Sequence, residues 1–177
     1  MKVRSNGREC GGDIPVSPGE RGLLLGDGAF ETIMSLGGRP VWLSGHLDRL
    51  MTAVSVLGLK AERGELEREA RAVADPGPGI IRLTVMRGEG GRGLAAEGTG
   101  KSPVLAVFSS LSPCGLNAPL RLAVSDVRRN EGSPASSMKT LSYIDNILAA
   151  REAVSRGADD ALMLNNSGRV ACCGVGN

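Results

Sequence analysis

Apolar and polar positions alternate along the first third of the chain in two distinct periods, and the change of period divides it into elements. Residues 1 to 9 read as a short strand turning at Asn6-Gly7, and Asp13 to Glu20, with Pro15 and Pro18, reads as a loop. Phe30 to Ser35 alternates as a strand, Leu36 to Pro40 forms a hairpin loop, and Val41 to Leu43 is the expected return strand. The period then lengthens. Leu47, Leu50, Met51, Val54 and Leu57 recur every three or four positions, which predicts a helix with its apolar side on a core and with Ser44 as its cap. Glu62 to Ala74 predicts a second, charged amphipathic helix, stopped by Asp75-Pro76-Gly77-Pro78-Gly79.

Alternation returns at Ile80 to Met86, with Ile81, Leu83 and Val85 on one side and Arg82, Thr84 and Met86 on the other. Gly88 to Gly100 is glycine-rich and is expected to be a mobile loop, and Pro103 to Ser109 is a further strand. Residues 111 to 119 lack periodicity and read as an interdomain linker, so the expected division is 1–110, linker 111–119, and 120–177. Leu120 to Val127 opens the second domain as a strand. Asn130 to Ser137 is a polar loop, and after Ser142 as a cap, Ile144, Ile147 and Leu148 recur at helical spacing.

Composition narrows the functional classes. The chain has 177 residues, 41% hydrophobic and 23% charged, with no apolar run long enough to span a bilayer. The opening Met1-Lys2-Val3-Arg4 lacks the apolar segment expected of a signal peptide. A net charge of +2 without basic clusters, and only 2% aromatic residues, give no footing for nucleic acid or for an anionic membrane. The four cysteines (Cys10, Cys114, Cys172 and Cys173) and the single histidine, His46, make no metal-ligand pattern. Cys172 and Cys173, adjacent on a strand, point to opposite faces and are not expected to bridge. A reduced cytoplasmic protein is the simplest reading.

The candidate chemistry centres on Lys139. It stands between a polar loop and a helix start, in the run Ser136-Ser137-Met138-Lys139-Thr140-Leu141-Ser142-Tyr143. Lysines are ordinarily solvated charges. One held in a short extended segment beside a core is desolvated, and the neutral amine it then yields is the form that makes a Schiff base. Upstream, Gly26-Asp27-Gly28 gives either a tight turn or a close backbone approach, and Arg49 flanks the apolar stripe of its helix instead of lying in mid-solvent.

Four ordered motifs then carry a resemblance: Arg21-Gly22-Leu23-Leu24-Leu25-Gly26-Asp27-Gly28-Ala29-Phe30-Glu31-Thr32; His46-Leu47-Asp48-Arg49-Leu50; Arg87-Gly88-Glu89-Gly90-Gly91-Arg92-Gly93; and Lys139-Thr140-Leu141-Ser142-Tyr143 followed by Gly157-Ala158-Asp159-Asp160-Ala161, Ser167-Gly168-Arg169-Val170 and Cys172-Cys173. Together they resemble the fold-type IV pyridoxal-phosphate enzymes, the class IV aminotransferases. The aminodeoxychorismate lyase branch is the nearest in its glycine-rich loop and cysteine pair. The resemblance implies a two-domain α/β (α+β) fold, D-amino-acid aminotransferase-like, and pyridoxal 5'-phosphate as cofactor. It implies Lys139 as the residue that carries the cofactor and moves protons at the substrate's alpha carbon, and Arg49 on the phosphate. It places Cys172 at the cofactor ring, and Phe30, Thr32 and Arg92 on the substrate, with the arginine gripping a carboxylate. His46 is expected to pack or cap instead of acting as a base. The implied reaction converts 4-amino-4-deoxychorismate to 4-aminobenzoate and pyruvate, on the way to folate. The alternatives are transamination of branched-chain or D-amino acids and a truncated, non-catalytic binding or dimerising module. A small amino-acid-like substrate and a homodimer are the expected partners, with no nucleic acid, membrane or metal.

The sequence departs from the family pattern at two places. Cys172 stands where relatives have a glutamate that keeps the pyridine nitrogen protonated. A thiol with an ordinary pKa of about 8.5 supplies far less negative charge at neutral pH. The chain also stops at Asn177, so the second domain is expected to be incomplete, its phosphate cup half built and its sheet left with an uncovered edge.

Overall fold

A computed structural model describes residues 1–95, 98–111 and 119–176. The expected linker falls almost wholly on 112–118, outside the described residues. The chain divides into two compact units, Met1–Cys114 with Met138–Leu141, and Gly115–Ser137 with Ser142–Asn177.

The first unit is an antiparallel six-stranded sheet under two helices. Its strands are β1 (Lys2–Ser5), β2 (Arg8–Cys10), β3 (Gly28–Leu36), β4 (Arg39–Pro40), β5 (Gly79–Met86) and β6 (Val104–Ser110), in the order β2-β1-β6-β5-β3-β4. The β1–β2 turn is the expected Asn6-Gly7, with φ of 49° and 85°, the left-handed pair that a two-residue hairpin requires. A short helix α1 (Arg21–Leu25), which the sequence pattern does not announce, precedes β3. Helices α2 (Leu43–Leu57) and α3 (Arg63–Val73) cover one sheet face, where Leu47, Leu50, Val54, Leu66 and Val73 meet Ile33, Ile81, Leu83, Val85 and Ala106. Each such aliphatic side chain contributes about 1.5–3 kcal/mol on burial.

Two local expectations fail here. The return strand is confined to Arg39–Pro40, because Trp42 adopts φ 49° and turns the chain straight into α2. Ser44 therefore lies inside α2 and does not cap it, and its hydroxyl accepts from Arg63 at 3.0 Å. At the other end Gly58, at φ 64°, closes the helix.

The second unit is a three-stranded sheet, β7 (Leu122–Arg129), β8 (Asp160–Asn165) and β9 (Val170–Cys173), with β7 and β8 parallel around α4 (Ile144–Ser155) and β9 antiparallel. Tyr143 precedes α4 without a side-chain cap, so Ser142 does not serve as one. The helix turns Asn146, Ala149 and Ala153 inward, whereas Ile144, Ile147 and Leu148 are 59%, 42% and 47% exposed. Small side chains let the helix lie close on the sheet beside Ala161 and Met163, and the Asn146 amide donates to the Gly174 carbonyl at 3.0 Å.

Met138–Leu141 belongs to the first unit although the chain on both sides belongs to the second. It lies along the free edge of β3. Phe30 N–H donates to the Lys139 carbonyl and Leu141 N–H to the Gly28 carbonyl, both at 2.9 Å, and Ala29 bridges Thr140. Gly28 is required there: a Cβ would lie 2.5 Å from the Val85 carbonyl and 2.7 Å from Leu141. Met138 is buried in the core of α2 and β3.

Candidate active site

The first four residues of β3 organise the site. Because side chains alternate across a strand, Phe30 and Thr32 point to one face and Glu31 to the other, toward α2. Lys139 is fixed on the same edge by its own backbone, and its Nζ stands 5.1 Å from the centroid of the buried Phe30 ring. The Arg82 guanidinium of β5 lies 3.7 Å from the same centroid. Both are within cation–π range, so one aromatic ring bounds a region that holds an amine and a guanidinium. Thr32, exposed, is directly opposite Arg82 in the ladder. The polar side of the alternating β5 segment was the signal for Arg82 in the sequence.

On the α2 side, Glu31 is 1% exposed and accepts from Arg49 through both oxygens, Nε to Oε1 at 2.5 Å and Nη2 to Oε2 at 2.6 Å. His46 Nδ1 is 2.9 Å from Oε2. Burial pushes the Glu31 carboxyl up, but the hydrogen bonds from Arg49 and His46 outweigh it and hold the group below the usual carboxylate range. His46 thus serves to pair a carboxylate. Arg49 keeps a side chain 44% exposed while Glu31 fixes its fork, which gives a permanently charged, oriented group on α2. Glu31 is a candidate site residue that apolar patterning passes over. Its signal is a charged residue at an inward position between Ala29 and Ile33.

A second charged cluster closes the entrance of β3. Asp27 accepts from Arg87 (Nε to Oδ2 at 2.9 Å, Nη2 to Oδ1 at 3.1 Å) and from Arg21 Nε at 3.1 Å. Burial raises its pKa, yet the hydrogen bonds from Arg87 and then Arg21 prevail and keep it low. Arg87 also donates to the Leu57 and Gly58 carbonyls, a cation at the negative end of α2. The buried Glu20 accepts from the Gly22 and Gly88 amides, each at 2.9 Å. The glycine-rich loop expected to be mobile is therefore hydrogen-bonded at its base and at the Gly91, Gly93 and Leu94 carbonyls. Arg92 is exposed within that stretch.

Cys172 lies in the second unit. It is half-buried, pairs with Met163 across β8 and β9, and packs against the alanine core. On β9 its neighbour Cys173 alternates to the other face, and burial, with Asp160 and Cys172 nearby, pushes that thiol up. Cys10, Cys172 and Cys173 are free thiols. Lys139 thus lies by Phe30 on one face of β3 and Arg49 by Glu31 on the α2 side, with Thr32 one step further along the strand and Arg92 on the adjoining loop, whereas Cys172 belongs to a different unit. Among the described residues no cluster of His, Cys, Asp and Glu suits a metal, and no helix is long and apolar enough to cross a membrane.

A lysine amine anchored beside an aromatic ring and a fixed guanidinium suit an aldehyde cofactor that carries a phosphate. Similarity to known proteins agrees. The family described as amino-transferase class IV matches residues 28–177. A Methanocaldococcus jannaschii protein named as a branched-chain-amino-acid aminotransferase candidate is 32% identical over 96% of this chain and 62% of its own length. Aminodeoxychorismate lyase of Bacillus subtilis is 29% identical over 90% of this chain and 57% of its own. The crystal structure of a branched-chain aminotransferase from Thermoproteus uzoniensis with norvaline superposes with a TM-score of 0.84 at 25% identity, over 98% of this chain and 63% of that one. The chain spans about three fifths of the length of these relatives.

Proposed function

The chain belongs to the class IV aminotransferases, a family of pyridoxal-phosphate-dependent enzymes, and from that premise we propose that it serves a lyase that converts 4-amino-4-deoxychorismate to 4-aminobenzoate and pyruvate. The observation that carries the reading is the docking of Lys139 on the edge of β3, with its amine 5.1 Å from the Phe30 ring and Arg49 held by the next residue, Glu31. Pyridoxal phosphate, when bound, supplies an electron sink for negative charge developing at the substrate's alpha carbon. Lys139 would hold the cofactor and would move a proton at that carbon. Arg49 takes the phosphate, a dianion to which a fixed guanidinium is well matched. Phe30 and Thr32 line the substrate side, and Arg92 grips a carboxylate. In this reading Cys172 takes the role of ring-nitrogen partner, where a thiol supports the sink less well than a carboxylate. The enzyme is a cytoplasmic homodimer in this reading and contributes to folate synthesis.

A second reading, transamination, is favoured by the names of the Methanocaldococcus and Thermoproteus relatives. The two separate in one assay. Formation of 4-aminobenzoate without an amino acceptor supports the lyase, and dependence on 2-oxoglutarate supports the transaminase. Borohydride reduction after incubation with pyridoxal phosphate, followed by peptide mapping, is expected to label Lys139. Label spread over surface lysines overturns the assignment. Labelled Lys139 with neither product leaves a cofactor-binding module.

A further inference from the structure

Resting on the reading of Arg92 as a carboxylate grip, we propose that Arg21 is the positioning residue that fixes the Arg92 loop and thereby sets affinity for the substrate carboxylate. Arg92 itself is exposed on a run of glycines, Gly90-Gly91-Arg92-Gly93. Such a run loses backbone entropy at every residue when it is ordered, so an arginine on it would bind weakly unless something else had already fixed the backbone.

Arg21 does this. It is 5% exposed, and its guanidinium is spent on backbone carbonyls of the loop: Nη1 donates to Gly93 at 2.9 Å, with a longer contact to Gly91 at 3.5 Å, and Nη2 donates to Leu94 at 2.8 Å. The carbonyls of Gly91 and Gly93, the two neighbours of Arg92, are therefore both reached by one buried fork, while the Arg92 side chain is exposed. The fork is itself oriented, because its Nε donates to Asp27 at 3.1 Å, and Asp27 is shared with Arg87, which binds the end of α2. The neck of the loop is closed separately. Arg21 N–H donates to the Gly88 carbonyl, Thr99 N–H to the Glu89 carbonyl, and Gly90 bridges Gly98. Loss of the fork thus frees residues 91–95 without opening the neck.

The test compares Arg21→Lys, Asp27→Asn, Arg92→Ala and Arg21→Lys/Arg92→Ala by two measurements on the whole chain. Amide hydrogen exchange is read over residues 88–95, and the Kd of 2-oxoglutarate, as a carboxylate probe, is read by titration in the presence of pyridoxal phosphate. Arg21→Lys keeps the charge but cannot span the carbonyls. Its exchange in 91–95 is expected to rise by about tenfold or more, with α2 and β6 unchanged, and its Kd by about tenfold, the size of losing one charge-assisted contact. Asp27→Asn shows a smaller change of the same kind, and it carries the comparison should Arg21→Lys not fold. The double variant is expected to bind no more weakly than Arg92→Ala alone, since the positioning acts through that side chain. Unchanged exchange in 91–95 overturns the inference, as does a loosened loop whose Kd is unaltered while Arg92→Ala still weakens binding. If Arg92→Ala leaves the Kd unchanged while the loop loosens in Arg21→Lys, the Arg92 reading fails and the pin stands.

Discussion

The two units solve the problem of a core in opposite ways. The first buries large aliphatic side chains from two helices and a sheet, and sets paired charges inside it: Glu31 with Arg49 and His46, Asp27 with Arg21 and Arg87, and Glu69, 4% exposed, with Arg4 at 3.1 Å. The second buries alanines and one methionine; its Arg156–Asp126 and Arg121–Asp159 pairs lie at the surface, where such pairs contribute about 0–1 kcal/mol, and Arg156 also pairs with the half-buried Glu152. A lysine that must hold one geometry is better placed on the former. The chain does this by lending Met138–Leu141 back to β3, and the Lys139 amine gains the rigidity of a unit to which its sequence neighbours do not belong.

The contrast in cores is the easiest part to break. Leu47→Ala, in the middle of the aliphatic core, is expected to cost about 2–5 kcal/mol through lost burial and a residual cavity. Ala153→Leu, under α4, fails for the opposite reason, because the helix lies too close to the sheet for a larger side chain, and overpacking costs about 1–3 kcal/mol. Chemical denaturation of each variant checks both. Ala153→Leu without loss of stability would mean that α4 is not packed closely on its sheet, and the comparison would lose one of its terms.

The charges inside the first unit come next in size. Glu31→Gln removes a carboxylate that two partners share. The expected cost is about 2–3 kcal/mol, less than the 3–5 of a fully buried pair because the Arg49 side chain is partly solvated. The pH dependence follows in sign. Glu31 and Asp27 are both held below their ordinary values, so the unfolded chain binds more protons than the native one through the acid range, and stability rises with pH there. That contribution is complete above the unfolded carboxyl values of about 3.9–4.3 and is lost as pH falls through the lower native ones. Denaturation curves between strongly acidic solution and neutrality are expected to show a shallower acid slope in Glu31→Gln than in the parent protein. Parallel slopes would mean that Glu31 does not stay ionised in the fold.

Much of this was legible in the sequence where structure is local. The stripe from Leu47 to Leu57 found its core, and Asn6-Gly7 made its turn, because helical period and left-handed backbone are decided within a few residues. The family motifs also drew attention to Lys139 and Arg49, which the fold sets beside Phe30 and Glu31. What stayed hidden depends on partners distant in sequence. Nothing near Lys139 announces that it will pair with β3. Arg21 looks like any charged residue until its fork meets carbonyls some seventy positions away. Trp42 turned left-handed where an extended residue was expected, so Ser44 became a helix interior residue that accepts from Arg63. In α4 two faces compete: the branched stripe and the small-residue face have the same period, and only the distance between helix and sheet chooses the alanines.

The smallest effect expected falls on the stripe that α4 leaves outside. Ile147 is 42% exposed, so a polar replacement there removes little buried area and opens no cavity. A surface substitution of this kind stays within about 0.5 kcal/mol, and the modest helix propensity of serine changes that little. Ile147→Ser is therefore expected to leave the unfolding free energy nearly unchanged at low protein concentration, in contrast to Leu47→Ala. The measurement is informative because isoleucine at a helical period is ordinarily a core residue. A loss above 1 kcal/mol that grows with protein concentration would mean that another surface covers this face in solution, by mass action on an associated state. A loss independent of concentration would mean that α4 buries its branched stripe instead of its alanines, and the distinction between the two cores would have to be redrawn.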